Sequence, residues 1–220
     1  MPRYTAGEIL KKLRSLSNPK NIEGMARFGI NSKNTLGVPV PVLRKIARQA
    51  GKDHALAQKL WASGIHEARI LAGMVADPGK ITPKEMDRWA KDFDSWDVCD
   101  QACYNLFCYS PVAHKKTREW SRKKEEFYKR SGFALMASLA VHDKKAKDSA
   151  FMAYFPVIKR ESTDERNYVR KAVNWALRQI GKRNPKLRKA ALKAAKEIYK
   201  TDSKAARWIA ADAIRELNNR

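Results

Sequence analysis

The stretch Asn167–Lys182, NYVRKAVNWALRQIGK, reads as an amphipathic helix carrying an aromatic on its wrong side. Winding it at about 100° per residue gathers Val169, Val173, Ala176, Leu177 and Ile180 into one apolar stripe. Trp175 falls about 200° away from Val173. Its neighbours there are Lys171, Arg178 and Lys182, with Tyr168 one turn further back. The stripe is complete without the indole, and a large aromatic set among cations is expected to meet a ligand. An anionic partner with flat or CH-rich surfaces fits that setting, and nucleic acid has this chemistry.

Outward from this stretch, almost every segment has the same helical periodicity, and no convincing alternating strand appears. Breakers recur at Asn18-Pro19, Gly37 to Pro41, Gly51, Asp77-Pro78-Gly79, Thr82-Pro83, Ser110-Pro111 and Asn184-Pro185. The pieces between them run to about ten to twenty residues, the usual helix length. Thr82-Pro83-Lys84-Glu85 has the capping signature of a helix start, and Ser110-Pro111 reads as another. The expectation is an all-α chain of about a dozen short helices in antiparallel pairs. Such pairs either stack into a curved array with a concave face or close into a bundle, and periodicity alone leaves both open. No exact repeat shows at any fixed period and no linker splits residues 1–220, so one domain is expected.

Charge points to a polyanion. The 220 residues carry 46 Lys+Arg against 23 Asp+Glu, a formal net charge of +23, with a pI near 10.1. The excess is spread, with 18 basic and 7 acidic residues from Lys159 to Arg220 and 8 and 3 from Val112 to Arg130. Excess charge also serves plain solubility, but here the basic segments are interleaved with tryptophan. Apolar content of 44% supports a sizeable core. The three cysteines, Cys99, Cys103 and Cys108, are odd in number and bunched, which argues for a reducing compartment. The start, MPRYTAGEILKK, shows no secretory signal, and the longest apolar run, Gly132–Val141, is about half a bilayer span. A cytosolic monomer is expected, associated with the nucleoid through DNA.

A second constellation is Asp94-Ser95-Trp96-Asp97-Val98-Cys99-Asp100-Gln101-Ala102-Cys103. On a helix, Cys99, Cys103, Leu106 and Phe107 form the apolar stripe, with Trp96 and Asp100 one turn apart at its margin. Asp94, Ser95 and Asp97 suit a helix start and its dipole. Asp100 lies too deep to cap. A carboxylate repels phosphate, so in a cationic protein it needs a separate role. Breaking an N-glycosidic bond supplies one, because positive charge develops on the deoxyribose as the base leaves. A carboxylate beside that sugar stabilises the transition state more than the ground state, and an aromatic face adds cation–π attraction. A base alkylated on a ring nitrogen is already cationic and departs without much acid assistance.

The strings SWDVCD, GFALMASLAVHD and VRKAVNWALRQIGKRNP resemble the AlkD-type DNA alkylation repair glycosylases, as do the segment from Met25 to Arg48 and IHEARILAG. The resemblance covers most of the chain. It implies an α-α superhelix of HEAT-like, armadillo-like helix pairs with DNA on a basic concave face. It implies removal of N3- and N7-alkylpurines from duplex DNA in base excision repair, without a cofactor. It assigns Asp100 as the catalytic aspartate, Trp96 and Trp175 as the two tryptophans of the cleft, and Arg178 as the arginine that follows on the same helix. The family is unusual in reacting without fully flipping the lesion out, against the general habit of glycosylases. One position departs from the pattern. The family's active-site arginine precedes the string that reads FALMASL here, and an ungapped match puts Gly132 in its place. Arg130, two residues upstream, would point about 160° away on a helix.

The residues expected to act are thus Asp100, Trp96 and Trp175 in catalysis, with Lys171, Arg178, Lys182 and Arg130 on DNA. Two rivals stand beside this reading. A non-catalytic binder of damaged or branched DNA would bind junctions and release no base. A protein-binding helical scaffold would bind DNA weakly even at low salt and has no need of Asp100 beside Trp96. The remaining signals are bland. The spacing of Cys99, Cys103, Cys108 and His114 matches no common zinc site. His66-Glu67 opens like a zincin motif, but Ile70 stands where the second histidine belongs. No phosphate-cradling GxxxxGK or GxGxxG occurs, which argues against a nucleotide-driven enzyme. His54, His114 and His142 read as cap or surface residues, and Trp61, Trp89, Trp120 and Trp208 as core or repeat packing. The run Lys182–Lys200 reads as a solvated face with some phosphate contacts in it.

Overall fold

The computed structural model describes residues 4–219; Met1, Pro2 and Arg3, which open the stretch where no leader is read, and Arg220 lie outside the described residues. Among these residues there are fourteen α-helices, one 3₁₀ turn at Phe107–Tyr109 and no strand. The helices are α1 (Ala6–Ser15), α2 (Pro19–Arg27), α3 (Val40–Ala50), α4 (His54–Ala62), α5 (His66–Val75), α6 (Pro83–Lys91) and α7 (Trp96–Asn105), then α8 (Ala113–Trp120), α9 (Glu126–His142), α10 (Asp148–Met152), α11 (Phe155–Glu161), α12 (Asn167–Gly181), α13 (Pro185–Tyr199) and α14 (Lys204–Asn218). The chain divides into two compact units, Met1–Ser110 and Pro111–Arg220.

The breakers act by identifiable chemistry. Thr82 accepts from the Glu85 backbone N–H while the Glu85 carboxylate accepts from the Thr82 N–H, the reciprocal cap expected there. Asn18 and Asn184 cap α2 and α13, each with proline at the first helical position. Gly51 ends α3 at φ 73°, a conformation that L side chains rarely adopt. Ser110-Pro111 does not open a helix directly. Ser110 is extended (ψ 140°), as the residue before proline prefers, and a turn intervenes before α8 starts at Ala113.

A period that the residues hide shows in their contacts. In the first unit, Glu67 accepts from the Leu36 N–H, Glu85 pairs with His54, Asp92 accepts from the Trp61 indole and Asp97 pairs with His66, each tie joining residues 31 apart. In the second unit the step is 38, in Arg130 to Tyr168, Lys159 to Glu197, Glu165 to Ser203 and Arg178 to Glu216. Each tie links equivalent points of successive helix pairs. In the second unit α9, α12 and α14 therefore lie side by side and parallel, and α11 and α13 pack behind α12. This is the stacked-pair architecture expected, not a closed bundle.

The cores follow the stripes. Val169, Val173, Ala176, Leu177 and Ile180 of α12 are buried, and truncating Leu177 or Ile180 to alanine would cost about 2–5 kcal/mol. Cys99, Cys103, Leu106 and Phe107 are likewise inside. Trp61 and Trp89 stack at 4.0 Å with 4° between their planes, and Trp120 is buried. Trp208 takes the repeat-packing alternative, not the core, since its partner Arg170 lies 38 residues away on α12. It is 40% exposed on α14, with the Arg170 guanidinium 5.3 Å above its ring. Its helix already fills the core with Ala205, Ile209 and Ala213, so the indole has no room there.

Candidate nucleic-acid interface

The expected site residues fall into two sets, one in each unit: Trp96 and Asp100 in the first, and Arg130, Lys171, Trp175, Arg178 and Lys182 in the second.

The first set sits on α7, which Ser95 opens. Trp96 is the first helical residue and is half-buried, its indole N–H donating to the Phe28 carbonyl at 3.1 Å. Asp100 is half-buried one turn further on. Burial first, then the Cys99 thiol and the Asp100 charge, push the Cys103 thiol well above its ordinary value, which makes it an inert packing residue. The acids ahead of Asp100 serve more than the helix start. Asp94 accepts from the Asn31 side chain at 3.0 Å, and Asp97 from His66 Nε2 at 2.8 Å. Burial alone would lower the His66 pKa, but the Asp97 hydrogen bond and charge, with Glu67 and Asp94, outweigh it and raise it. Trp96 also walls an open cleft of about 820 Å³ between α2, α5 and α7, with Phe28, His66, Ile70 and Gln101 around it.

Sequence reasoning missed Glu67. This buried carboxylate accepts from the backbone N–H groups of Leu36, Gly37 and Val38, at 2.7 to 3.3 Å, and so fixes the loop that leads into α3. The signal was an acid one step from the apolar positions of IHEARILAG, where a zincin motif drew attention to the wrong chemistry.

The second set centres on α12. Trp175 is half-buried on the side away from the core stripe, and among the described residues its indole makes no hydrogen bond or ring contact. Lys171, one turn earlier, is exposed and makes no ion pair among the described residues. Arg178 and Lys182 are placed differently from the expectation of open phosphate ligands. Arg178 is held by Asp212 at 3.5 Å and by Glu216, and Lys182 is held by Glu216. Burial raises the Glu216 carboxyl, but these two cations outweigh it and hold it below its usual range. They are therefore neutralised in place by α14, at the flank of the Trp175 face.

Arg130 needs the plainest correction. It is 6% exposed and donates to the Tyr168 carbonyl at 2.6 Å. A buried guanidinium bonded to a backbone carbonyl is a clamp between α9 and α12, not a surface cation for phosphate. Gly132 explains why no arginine stands at its position. A Cβ there would lie 2.6 Å from the Ser121 backbone nitrogen and 3.1 Å from the Thr117 carbonyl, so α9 approaches α8 too closely for any side chain.

Electrostatics separate the units. Residues 1–110 carry 17 basic and 11 acidic side chains, and residues 111–220 carry 29 and 12. Among the described residues no helix is long and apolar enough to cross a membrane.

The stacked helix pairs make this a helical-repeat protein, with a carboxylate–indole step on α7 and an indole among cations on α12. The comparisons give its family. A family model described as DNA alkylation repair enzyme matches residues 9–217, and the chain belongs to that family. One solved structure is described as a new family of proteins related to the HEAT-like repeat DNA glycosylases, with affinity for branched DNA structures. It superposes with a TM-score of 0.79 at 20% identity, covering 97% of this chain and 95% of that one. This likeness establishes the HEAT-like repeat fold. No curated protein matches.

Proposed function

We propose that the protein binds duplex DNA and hydrolyses the N-glycosidic bond of cationic N3- and N7-alkylpurines. The observation that carries this reading is the α7 pair, a half-buried carboxylate one turn from a half-buried indole in a chain of net charge +23. Alkylation places a positive charge on the purine ring. As the bond from C1′ to the ring nitrogen lengthens, its electron pair goes to the base, which leaves neutral, and the charge moves to the sugar. Asp100 stabilises that charge electrostatically and Trp96 presents its ring face to it. Water then adds to C1′ and releases a proton. On α12, Trp175 and Lys171 bind the DNA, with Arg178 and Lys182 behind them tuned by Glu216.

The test is excision of methylated purines from duplex DNA by the wild type and Asp100→Asn. Loss of one preorganised electrostatic stabiliser predicts a fall of roughly 100- to 1000-fold, with DNA affinity equal or higher. Equal rates would remove Asp100 from the chemistry.

Gly132 favours a second reading, binding without excision. The arginine that the resemblance implies is absent, and the packing of α8 on α9 leaves no space for one. The structural neighbour's affinity for branched DNA supports the same reading. It predicts no base release with tight, salt-sensitive binding to four-way junctions.

A further inference from the structure

The second unit has another strongly cationic face, on α13. Lys186, Lys189, Lys193, Lys196 and Lys200 recur at steps of three and four and are all exposed. The buried residues of the same helix are Leu187, Ala191, Ala194, Ala195 and Ile198. At 100° per residue the lysines cluster about 180° from that apolar stripe, so they point away from α12 and α14. On α12 the same geometry turns Lys171 and Trp175 away from α13. The two cationic faces therefore lie on opposite surfaces of one unit. A shallow groove of about 530 Å³ runs along α13, with Leu192 and Arg188 between the lysines. Glu197 is the one acid of this helix, and Lys159 on α11 already pairs with it at 2.6 Å.

A row that only kept the helix in solution would gain from alternating signs, since like charges three and four residues apart repel. Here five ammonium groups stand in one line about 21 Å long, the length of about six base pairs of duplex. Lysine is a point charge without planar preference, which suits a phosphate backbone read without sequence. We infer that the α13 lysine row is a second DNA-binding face, which holds the backbone of a duplex segment other than the one on the Trp175 face. The inference rests on the DNA-binding reading above and adds to it a second site, which suits DNA that presents two duplex arms at once.

The experiment compares the wild type, Lys189→Glu/Lys193→Glu/Lys196→Glu and Trp175→Ala. Each is titrated against a four-way junction and a linear duplex of equal length over a series of salt concentrations. The lysines are exposed, so circular dichroism and melting temperature should match the wild type. The triple variant is expected to lose at least tenfold affinity for the junction, to shed about three from its junction salt slope, and to bind linear duplex within about twofold of the wild type. Trp175→Ala should weaken both. Unchanged junction affinity in the triple variant, or an equal loss on both DNAs, would overturn the second face while leaving DNA binding intact. A wild type that binds neither DNA would overturn the functional reading itself.

Discussion

Two half-buried indoles, Trp96 on α7 and Trp175 on α12, are the same side chain in opposite electrostatic surroundings. Trp96 is anchored by its hydrogen bond to Phe28, and the charged residues nearest it on its helix are Asp97 and Asp100. Trp175 is not anchored by any hydrogen bond among the described residues, and its flanks are Lys171 and Arg178. An indole beside a carboxylate suits a transient cation, whereas an indole beside lysine suits a phosphate chain with bases or sugars along it. The wider units repeat the contrast, since residues 111–220 hold 29 of the 46 basic side chains and only 12 of the 23 acidic ones. Under the proposed function, chemistry falls to α7 and grip to α12.

The largest expected effect concerns the missing arginine. Gly132→Arg should not add a catalytic group. It should force α9 from α8 and cost about 3 kcal/mol or more, seen as a lower thermal midpoint. An unchanged midpoint with gained excision would mean the α8–α9 packing yields easily and that the two units differ less in role than proposed.

Next come the indoles themselves. Trp175→Ala should weaken duplex binding by about tenfold and leave the excision rate at saturating enzyme near the wild-type value. Trp96→Ala should do the reverse, slowing excision at saturation with affinity little changed. Parallel single-turnover and titration experiments separate these, and the same pattern for both variants would erase the contrast.

Smaller effects sort the cations of α12. Lys171→Gln should reduce the salt slope of binding by about one, because that ammonium is unpaired among the described residues. Arg178→Gln should change the slope less and stability more, since it leaves Glu216 with one partner in place of two.

The smallest is a pH effect confined to the first unit. The folded His66 pKa is raised, so its pairing with Asp97 contributes stability that is complete below the unfolded value near 6.5. That contribution is lost as pH rises through the folded value. The wild type should therefore lose melting temperature relative to His66→Gln between about pH 6 and pH 8. A constant difference across that range would contradict the charged pair.

Much of this was legible in the residues. The apolar stripes of α12 and α7, the Thr82 cap and the all-helical class follow from spacing that the packing then uses directly. The repeat was not legible, because it lives in polar ties 31 and 38 residues apart whose residue types change from pair to pair: a glutamate on backbone N–H groups, an aspartate on an indole, an arginine on a carbonyl. Arg130, Arg178 and Lys182 were legible as cations but not as partners, since Tyr168 offers a backbone carbonyl and Glu216 stands 38 residues from Arg178. Trp208 was legible as repeat packing, with Arg170 of α12 over its ring, but not as an exposed side chain off the buried stripe of α14.

The division between α7 and α12 is tested most directly by incubating the wild-type protein with methylated duplex DNA, without heat, and measuring free 7-methylguanine and 3-methyladenine. Release well above the spontaneous rate, lost in Asp100→Asn and retained at saturating enzyme in Trp175→Ala, is the predicted result. DNA fully bound with no base released would contradict it.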